Sequence, residues 1–353
     1  MSTNLNPAAG GPDPMAALQQ LTKRDFVSDQ TVRWCPGCGD YAILDAVQKV
    51  FAGLGIPREN FVVVSGIGCS SRLPYYVNTF GFHGIHGRAP AIATGIKVTR
   101  PDLSVWVATG DGDGLSIGGN HFLHALRRNV DIKILLFNNR IYGLTKGQYS
   151  PTSEAGKKTK TSPYGSVDQP VDPVALALAA GATFVARAVD VYGDHLRQVL
   201  TRAANHRGAV FIEILQNCPI FNDGAFAEVE SRQERPEHAL ELEHGQPLRF
   251  GKNKERGIRL NGFQPEVMEL GIGDAGADGL VRYDESNAAL AYLMCQLRQP
   301  EFPVPIGVFR AVEHESYDAA VHRQIAEART ARKPGTLDSL LRQGDVWEAG
   351  GKA

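Results

Sequence analysis

Four short apolar, β-branched runs mark the first two thirds of the chain: 61–65 (FVVVS), 103–109 (LSVWVAT), 132–137 (IKILLF) and 209–215 (AVFIEIL). Each has the length and composition of a buried strand. Between them the period changes to that of a helix. Tyr41, Leu44, Val47, Val50 and Phe51 predict an amphipathic helix over 40–52, ahead of the first strand. Leu115, Phe122, Leu123 and Leu126 predict another over 115–128, closing on Arg127-Arg128. Further helices are expected over 90–99, from Asp172 as N-cap to near Gly181, and over 193–205. Strands alternating with helices predict an α/β fold, a parallel sheet with helices on both faces and right-handed crossovers.

In such a sheet the loops that follow the strands share one edge, and that edge is where open α/β sheets bind ligands. Gly110-Asp111-Gly112-Asp113 follows the run 103–109, and Asn138-Asn139 follows 132–137, with Asn139 28 residues after Asp111. A carboxylate and a carboxamide brought together there suit a hard, oxygen-seeking cation. Magnesium fits when phosphate oxygens complete its octahedron. The glycines flanking Asp111 remove side chains where a diphosphate approaches backbone N–H groups. Other phosphate motifs fail: no G-x-G-x-x-G opens the helix, and Pro151 stands where a P-loop ending in Gly156-Lys157 needs glycine.

The cysteines bear on the same edge. Trp34-Cys35-Pro36-Gly37-Cys38-Gly39 precedes the helix 40–52. A thioredoxin-like redox pair also has this form but needs a strand leading into the first cysteine, and 21–33 is polar and charged. Cys69 and Cys218 each lie just past a strand's carboxyl end, as Asp111 and Asn139 do, so the fold brings them to the same edge. Four thiolates suit either zinc or a 4Fe–4S cluster. Cys295 sits in a helical run, 288–297, and reads as a core residue.

Composition narrows the class further. With 37 basic and 38 acidic residues the formal charge is −1, so no strong field favours nucleic acid or an anionic membrane. No stretch has the length of a signal peptide or a membrane span, and the reading is cytoplasmic, with free or metal-bound cysteines rather than disulfides. Residues 1–30 read as a flexible tail, 31–219 as the ligand-binding domain, and the charge-rich remainder, 220–353, as an extension that wraps the core or a partner.

A GDG followed 25–30 residues later by Asn-Asn resembles the magnesium–thiamine diphosphate motif of thiamine-dependent enzymes. A wider set of blocks resembles the β subunit of 2-oxoacid:ferredoxin oxidoreductases, in particular the 2-oxoglutarate branch. They are WCPGCGDYAIL (34–44), SGIGCSS (65–71), HGIHGRAPAIATGIK (83–97), GDGDGLSIGGNHFLHALRRN (110–129), NNRIYGLTKGQYSPT (138–152) and Cys218-Pro219. The resemblance implies a thiamine-diphosphate-binding fold with magnesium on Asp111, Asn139 and the carbonyl of Ile141. It implies one 4Fe–4S cluster on Cys35, Cys38, Cys69 and Cys218. The cofactor would also meet Ile67, Gly68, Ser70, Gly110, Gly112, Asp113, Gly143, Leu144 and Thr145. Lys146 becomes a candidate for the distal carboxylate of 2-oxoglutarate.

The implied reaction is oxidative decarboxylation of 2-oxoglutarate with coenzyme A, electrons passing through the cluster to ferredoxin. The glutamate such cofactors need would come from a larger α subunit, giving an α2β2 heterotetramer. Pyruvate or another 2-oxoacid, a non-redox decarboxylase, and a zinc-stabilised non-catalytic assembly subunit stay open as alternatives. No role follows for His83, His86 or Arg88. The long loop 140–170 reads as a lid or binding loop with Lys157, Lys158 and Lys160 in solvent.

Overall fold

The computed structural model describes residues 21–271, 276–332, 335–347 and 349–350. The first 20 residues of the expected tail lie outside them. Six strands build the expected sheet: β1 (Phe61–Ser65), β2 (Phe80–His83), β3 (Ser104–Gly110), β4 (Lys133–Asn138), β5 (Phe184–Val189) and β6 (Val210–Leu215). Four more elements of the C-terminal part follow as β7 (Ala239–Leu242), β8 (Arg249–Phe250), β9 (Arg256–Asn261) and β10 (Gln264–Glu269), and β11 (Val304–Ala311) comes last. The main sheet runs β2-β1-β3-β4-β6-β5-β11-β7, and β10-β9-β8 form a separate three-stranded sheet.

All pairings in the main sheet are parallel except β11 against β5, which is antiparallel. The strand order reverses between β1 and β3, and such a switch point opens a crevice outside the strands' carboxyl ends. Helices cover both faces because the central strands alternate apolar side chains to each. Val62, Val64, Val107, Ile134 and Leu136 pack against the helices Ala89–Thr99, Gly119–Arg127 and Pro173–Ala179. Phe61, Val63, Trp106, Leu135 and Ile212 face the helices Asp40–Gly53 and Gly193–Asn205. Fully burying side chains of this size stabilises the fold by roughly 1.5–3 kcal/mol each.

Two boundaries differ from the sequence reading. The tail does not extend to residue 30: Phe26 is fully buried and packs edge-on against Phe51 and Phe61 at 5.8 and 5.6 Å. The ligand-binding sheet also does not end at residue 219, since β7 and β11 of the extension lengthen it beyond β5. Strand β5 (FVARAV) went unread because Arg187 interrupts its apolar run. In the fold Arg187 lies opposite Glu213 of β6, and their ion pair at 2.6 Å lets both sit inside the sheet layer.

Candidate active site

The loops after β1, β3, β4 and β6 lie side by side, as the strand order requires. Those after β1, β3 and β4 enclose a small cavity of ≈ 60 Å³. Ile67, Gly68, Ser70, the run Gly110 to Asp113, Asn139, Ile141, Gly143, Leu144 and Thr145 all line it, joined by Asp40, Cys69, His86, Phe137 and Tyr142. Every residue proposed from the sequence to meet the cofactor is therefore at one place. Close approach of the chain explains Gly112: a methyl group there would lie 2.2 Å from the Tyr142 ring, whose hydroxyl donates to the Gly112 carbonyl at 3.0 Å.

Asp111 is buried, and its Oδ2 accepts from Ser150 Oγ at 2.5 Å and Thr152 Oγ1 at 2.7 Å. Burial pushes its carboxyl up to about 6, against the lowering effect of those two hydroxyls. A desolvated carboxylate of this kind is stabilised in its charged form by a cation. Asn139 turns its Oδ1 to the Ile141 amide at 3.2 Å, fixing the loop that carries the Ile141 carbonyl. Ser70 Oγ, buried in the cavity wall, has no hydrogen-bond partner among the described residues. Such an orphaned hydroxyl fits a site built for an oxygen-rich ligand.

Behind Asp111 runs a buried hydrogen-bonded series. Thr152 Oγ1 lies 2.9 Å from Asn138 Oδ1, Asn138 Nδ2 donates to Glu213 Oε1 at 2.7 Å, and Arg187 Nε donates to Glu213 Oε2 at 2.6 Å. Thr152 holds one proton, so it can donate to Asp111 or to Asn138 but not to both. Arg187 is anchored in turn by the Pro305 carbonyl of β11 at 3.2 Å and by the Phe309 ring at 5.3 Å.

Cys35, Cys38, Cys69 and Cys218 line one further cavity, of ≈ 200 Å³, together with Gly143, Leu144, Lys146 and Asn139. A methyl group at Gly143 would touch the sulfurs of both Cys69 and Cys218, at 3.6 and 3.7 Å. No strand leads into Cys35, so the thioredoxin-like alternative lacks its scaffold. Burial pushes the Cys69 thiol up to about 12, with the Asp40 carboxylate adding to the effect, and raises Cys38 likewise. Asp40 is itself buried, and burial pushes its carboxyl up to about 7 against the lowering effect of the neighbouring Cys38 thiol. Cys295 stands apart: its thiol donates to the Ala291 carbonyl at 3.2 Å within its own helix.

Residues 66–214 match the thiamine pyrophosphate enzyme family, C-terminal TPP binding domain, a span that contains the lining of both cavities except the residues they draw from 33–40 and 216–221. The 2-oxoglutarate oxidoreductase subunit KorB of Mycobacterium tuberculosis is 53% identical over 329 residues, covering 92% of this chain and 87% of that protein. The chain belongs to the 2-oxoacid:ferredoxin oxidoreductase β subunits, in their 2-oxoglutarate branch. Subunit beta of 2-oxoacid:ferredoxin oxidoreductase 1 from Aeropyrum pernix is 53% identical over 190 residues, 54% of this chain and 60% of that protein. A solved 2-oxoglutarate:ferredoxin oxidoreductase of Magnetococcus marinus, with 2-oxoglutarate, coenzyme A and succinyl-CoA bound, matches at TM-score 0.73 and 32% identity. That match covers 91% of this chain and 95% of the other.

In this β subunit the sequence reading missed three contributors to the site. Ser150 and Thr152 were visible only as polar residues of a long loop, yet they hold Asp111. His86 was given no role, yet its ring lines the cofactor cavity beside Asp113. Lys157 is not in solvent as expected, since it bonds the Asn222 side chain. Lys146, the proposed substrate lysine, lines the cysteine cavity rather than the cofactor cavity, and its backbone is left-handed at φ +76°. For a residue other than glycine that backbone costs on the order of 1–2 kcal/mol.

Proposed function

We propose that this β subunit, assembled with a larger α subunit as α2β2, performs the oxidative decarboxylation of 2-oxoglutarate with coenzyme A to succinyl-CoA and CO2. Electrons pass through one 4Fe–4S cluster to ferredoxin in the cytoplasm. The observation that carries this reading is a shared wall: Cys69, Asn139, Gly143 and Leu144 line both the cofactor cavity and the cysteine cavity. A redox centre has a use at that position, whereas a structural zinc does not. The four thiols line one cavity between them.

Asp111, Asn139 and the Ile141 carbonyl would hold magnesium, and thiamine diphosphate, once bound, supplies the electron sink for decarboxylation. This chain's share is to hold the metal, wall the cavity with the buried Phe137 and keep the four thiols beside the cofactor. Among the described residues no glutamate lines the cofactor cavity. The one that activates the cofactor would come from the α subunit.

The test is direct. Purified anaerobically with its α subunit, the chain should carry roughly four iron and four acid-labile sulfide, the content of one cubane cluster, together with thiamine diphosphate. It should reduce ferredoxin only with 2-oxoglutarate and coenzyme A, and the chain alone should be inactive. Stoichiometric zinc without iron would overturn the reading.

Lys146 is the residue proposed to choose the substrate. 2-Oxoglutarate differs from pyruvate chiefly by a distal carboxylate, which is costly to bury unpaired. A lysine donating a charge-assisted hydrogen bond contributes about 1.5–3 kcal/mol. Lys146→Ala should lower kcat/KM for 2-oxoglutarate by roughly 10- to 150-fold and leave any pyruvate turnover almost unchanged. Equal loss on both substrates would assign Lys146 to the common chemistry instead.

A further inference from the structure

We propose that Gln216 tunes the reduction potential of the cluster, its side-chain amide donating a hydrogen bond to the sulfur of Cys38. This rests on the 4Fe–4S reading of the cysteine cavity and concerns a residue to which that reading gives no part.

Gln216 directly follows β6 and continues its pairing with β4, its backbone amide donating to the Asn138 carbonyl at 2.9 Å. The residue is 1% exposed and stands in the wall of the cysteine cavity. Its Nε2 lies 3.2 Å from Cys38 Sγ and 2.5 Å from the Asn217 carbonyl oxygen. A carbonyl oxygen only accepts, so the nitrogen of the side-chain amide is the atom that faces it. That nitrogen carries two protons, and the second is directed at Cys38. In the free chain the sulfur is a thiol. As a cluster ligand it is a thiolate, and a hydrogen bond to a charged acceptor is the stronger kind.

The other end of the amide is idle. Gln216 Oε1 is buried with no hydrogen-bond partner among the described residues, so the side chain acts here through Nε2. Unsatisfied buried groups are uncommon in native folds, and a redox role is one explanation for them.

Packing keeps donor and acceptor in register. The amide of Gly39 donates to the same Asn217 carbonyl at 3.2 Å, and that of Cys38 donates to the Cys35 carbonyl at 3.1 Å. A methyl group at Gly39 would lie 2.9 Å from Gln216 Cγ. The turn that carries Cys38 is thus pressed against Gln216, with no room for a side chain between them.

Reduction adds one electron, which comes from the 2-oxoacid and leaves to ferredoxin, and no proton moves at Gln216. The added negative charge is shared by the sulfurs. A donor aimed at one of them stabilises the reduced form more than the oxidised and raises the potential. Arg33, Arg72 and Lys146 line the same cavity and act in the same direction. The share of Gln216 is therefore read as a difference between variants.

The experiment uses the αβ complex purified anaerobically and follows the visible absorption and the electron paramagnetic resonance of the cluster against applied potential. Q216L and Q216M both remove the donor at nearly constant volume but differ in shape. In each the midpoint should fall by about 59 mV, the one-electron equivalent of a roughly tenfold change in the equilibrium. Tenfold is about the lower end of the effect of a hydrogen bond to a charged group. Equal shifts in the two variants would mark the lost donor, because a packing effect would follow shape. Iron, acid-labile sulfide and the Kd for thiamine diphosphate should stay near those of the unmodified complex, since Gln216 lines no part of the cofactor cavity.

An unmoved or raised midpoint in a variant that holds its iron would overturn the assignment. So would loss of iron from both variants, which would make Gln216 a support for Cys38 and not a tuner of its charge. The unmodified complex separates the two levels. If it holds iron and sulfide while the midpoint is indifferent to residue 216, the role of Gln216 fails alone; if it holds neither, the cluster reading fails.

Discussion

Asp111→Ala should bind no magnesium–thiamine diphosphate at concentrations that saturate the unaltered complex. The carboxylate is the one charged side chain among the proposed metal ligands, and its Oδ2 is already engaged by Ser150 and Thr152. Coordination thus depends on a group held rigid in advance. Loss of an outer partner of a metal ligand typically costs 10- to 100-fold in affinity, so removal of the ligand itself should cost more than about 100-fold. The alanine also takes the acceptor from the buried Ser150 hydroxyl, at about 1–3 kcal/mol for an unsatisfied group, whereas Thr152 can turn to Asn138. Asp111→Asn keeps an acceptor for them and removes the charge, so it should lose the metal with a smaller drop in Tm. Calorimetric titration beside a thermal melt reads both quantities. Retention of cofactor and turnover by either variant would remove Asp111 from the metal site.

The second large effect concerns the thiols. Cys35→Ser, Cys38→Ser, Cys69→Ser and Cys218→Ser should each lose the visible absorption and acid-labile sulfide of the cluster. Ferredoxin reduction should go with them. Cys295→Ser should keep all three, because that thiol is bonded inside its own helix and lines no part of the cysteine cavity. The magnesium site should still bind cofactor in the Cys35 variant, since Cys35 does not line that cavity. An intact cluster in the Cys218 variant, with loss in the Cys295 variant, would replace the ligand set.

What was legible in the chain follows from burial. The runs FVVVS, LSVWVAT, IKILLF and AVFIEIL announce β1, β3, β4 and β6 because these strands are covered on both faces, and their order predicts which loops meet. The same logic hides β2 (FGFH), an exposed edge strand with Phe80 and Phe82 in the open. It hides β5 as well, whose Arg187 is acceptable only because Glu213 lies across from it. Asp111, Asn139 and the four thiols were readable from their places after strands or before a helix. Ser150, Thr152 and His86 were not, because they act from irregular loops whose folding no periodicity records. The switch to an antiparallel partner at β11 was likewise invisible, being a matter of how distant segments pair.

The series from Asp111 through Thr152, Asn138 and Glu213 to Arg187 ends on β11, more than 190 residues further along the chain from Asp111. A truncation before β11 would do more than shorten the sheet. It would remove the Pro305 carbonyl and the Phe309 ring that brace Arg187, leaving a buried charge with fewer partners and a slack Asp111 carboxylate. The last third of the chain is in this sense a mechanical part of the cavity: stiffness is set there and used at Asp111.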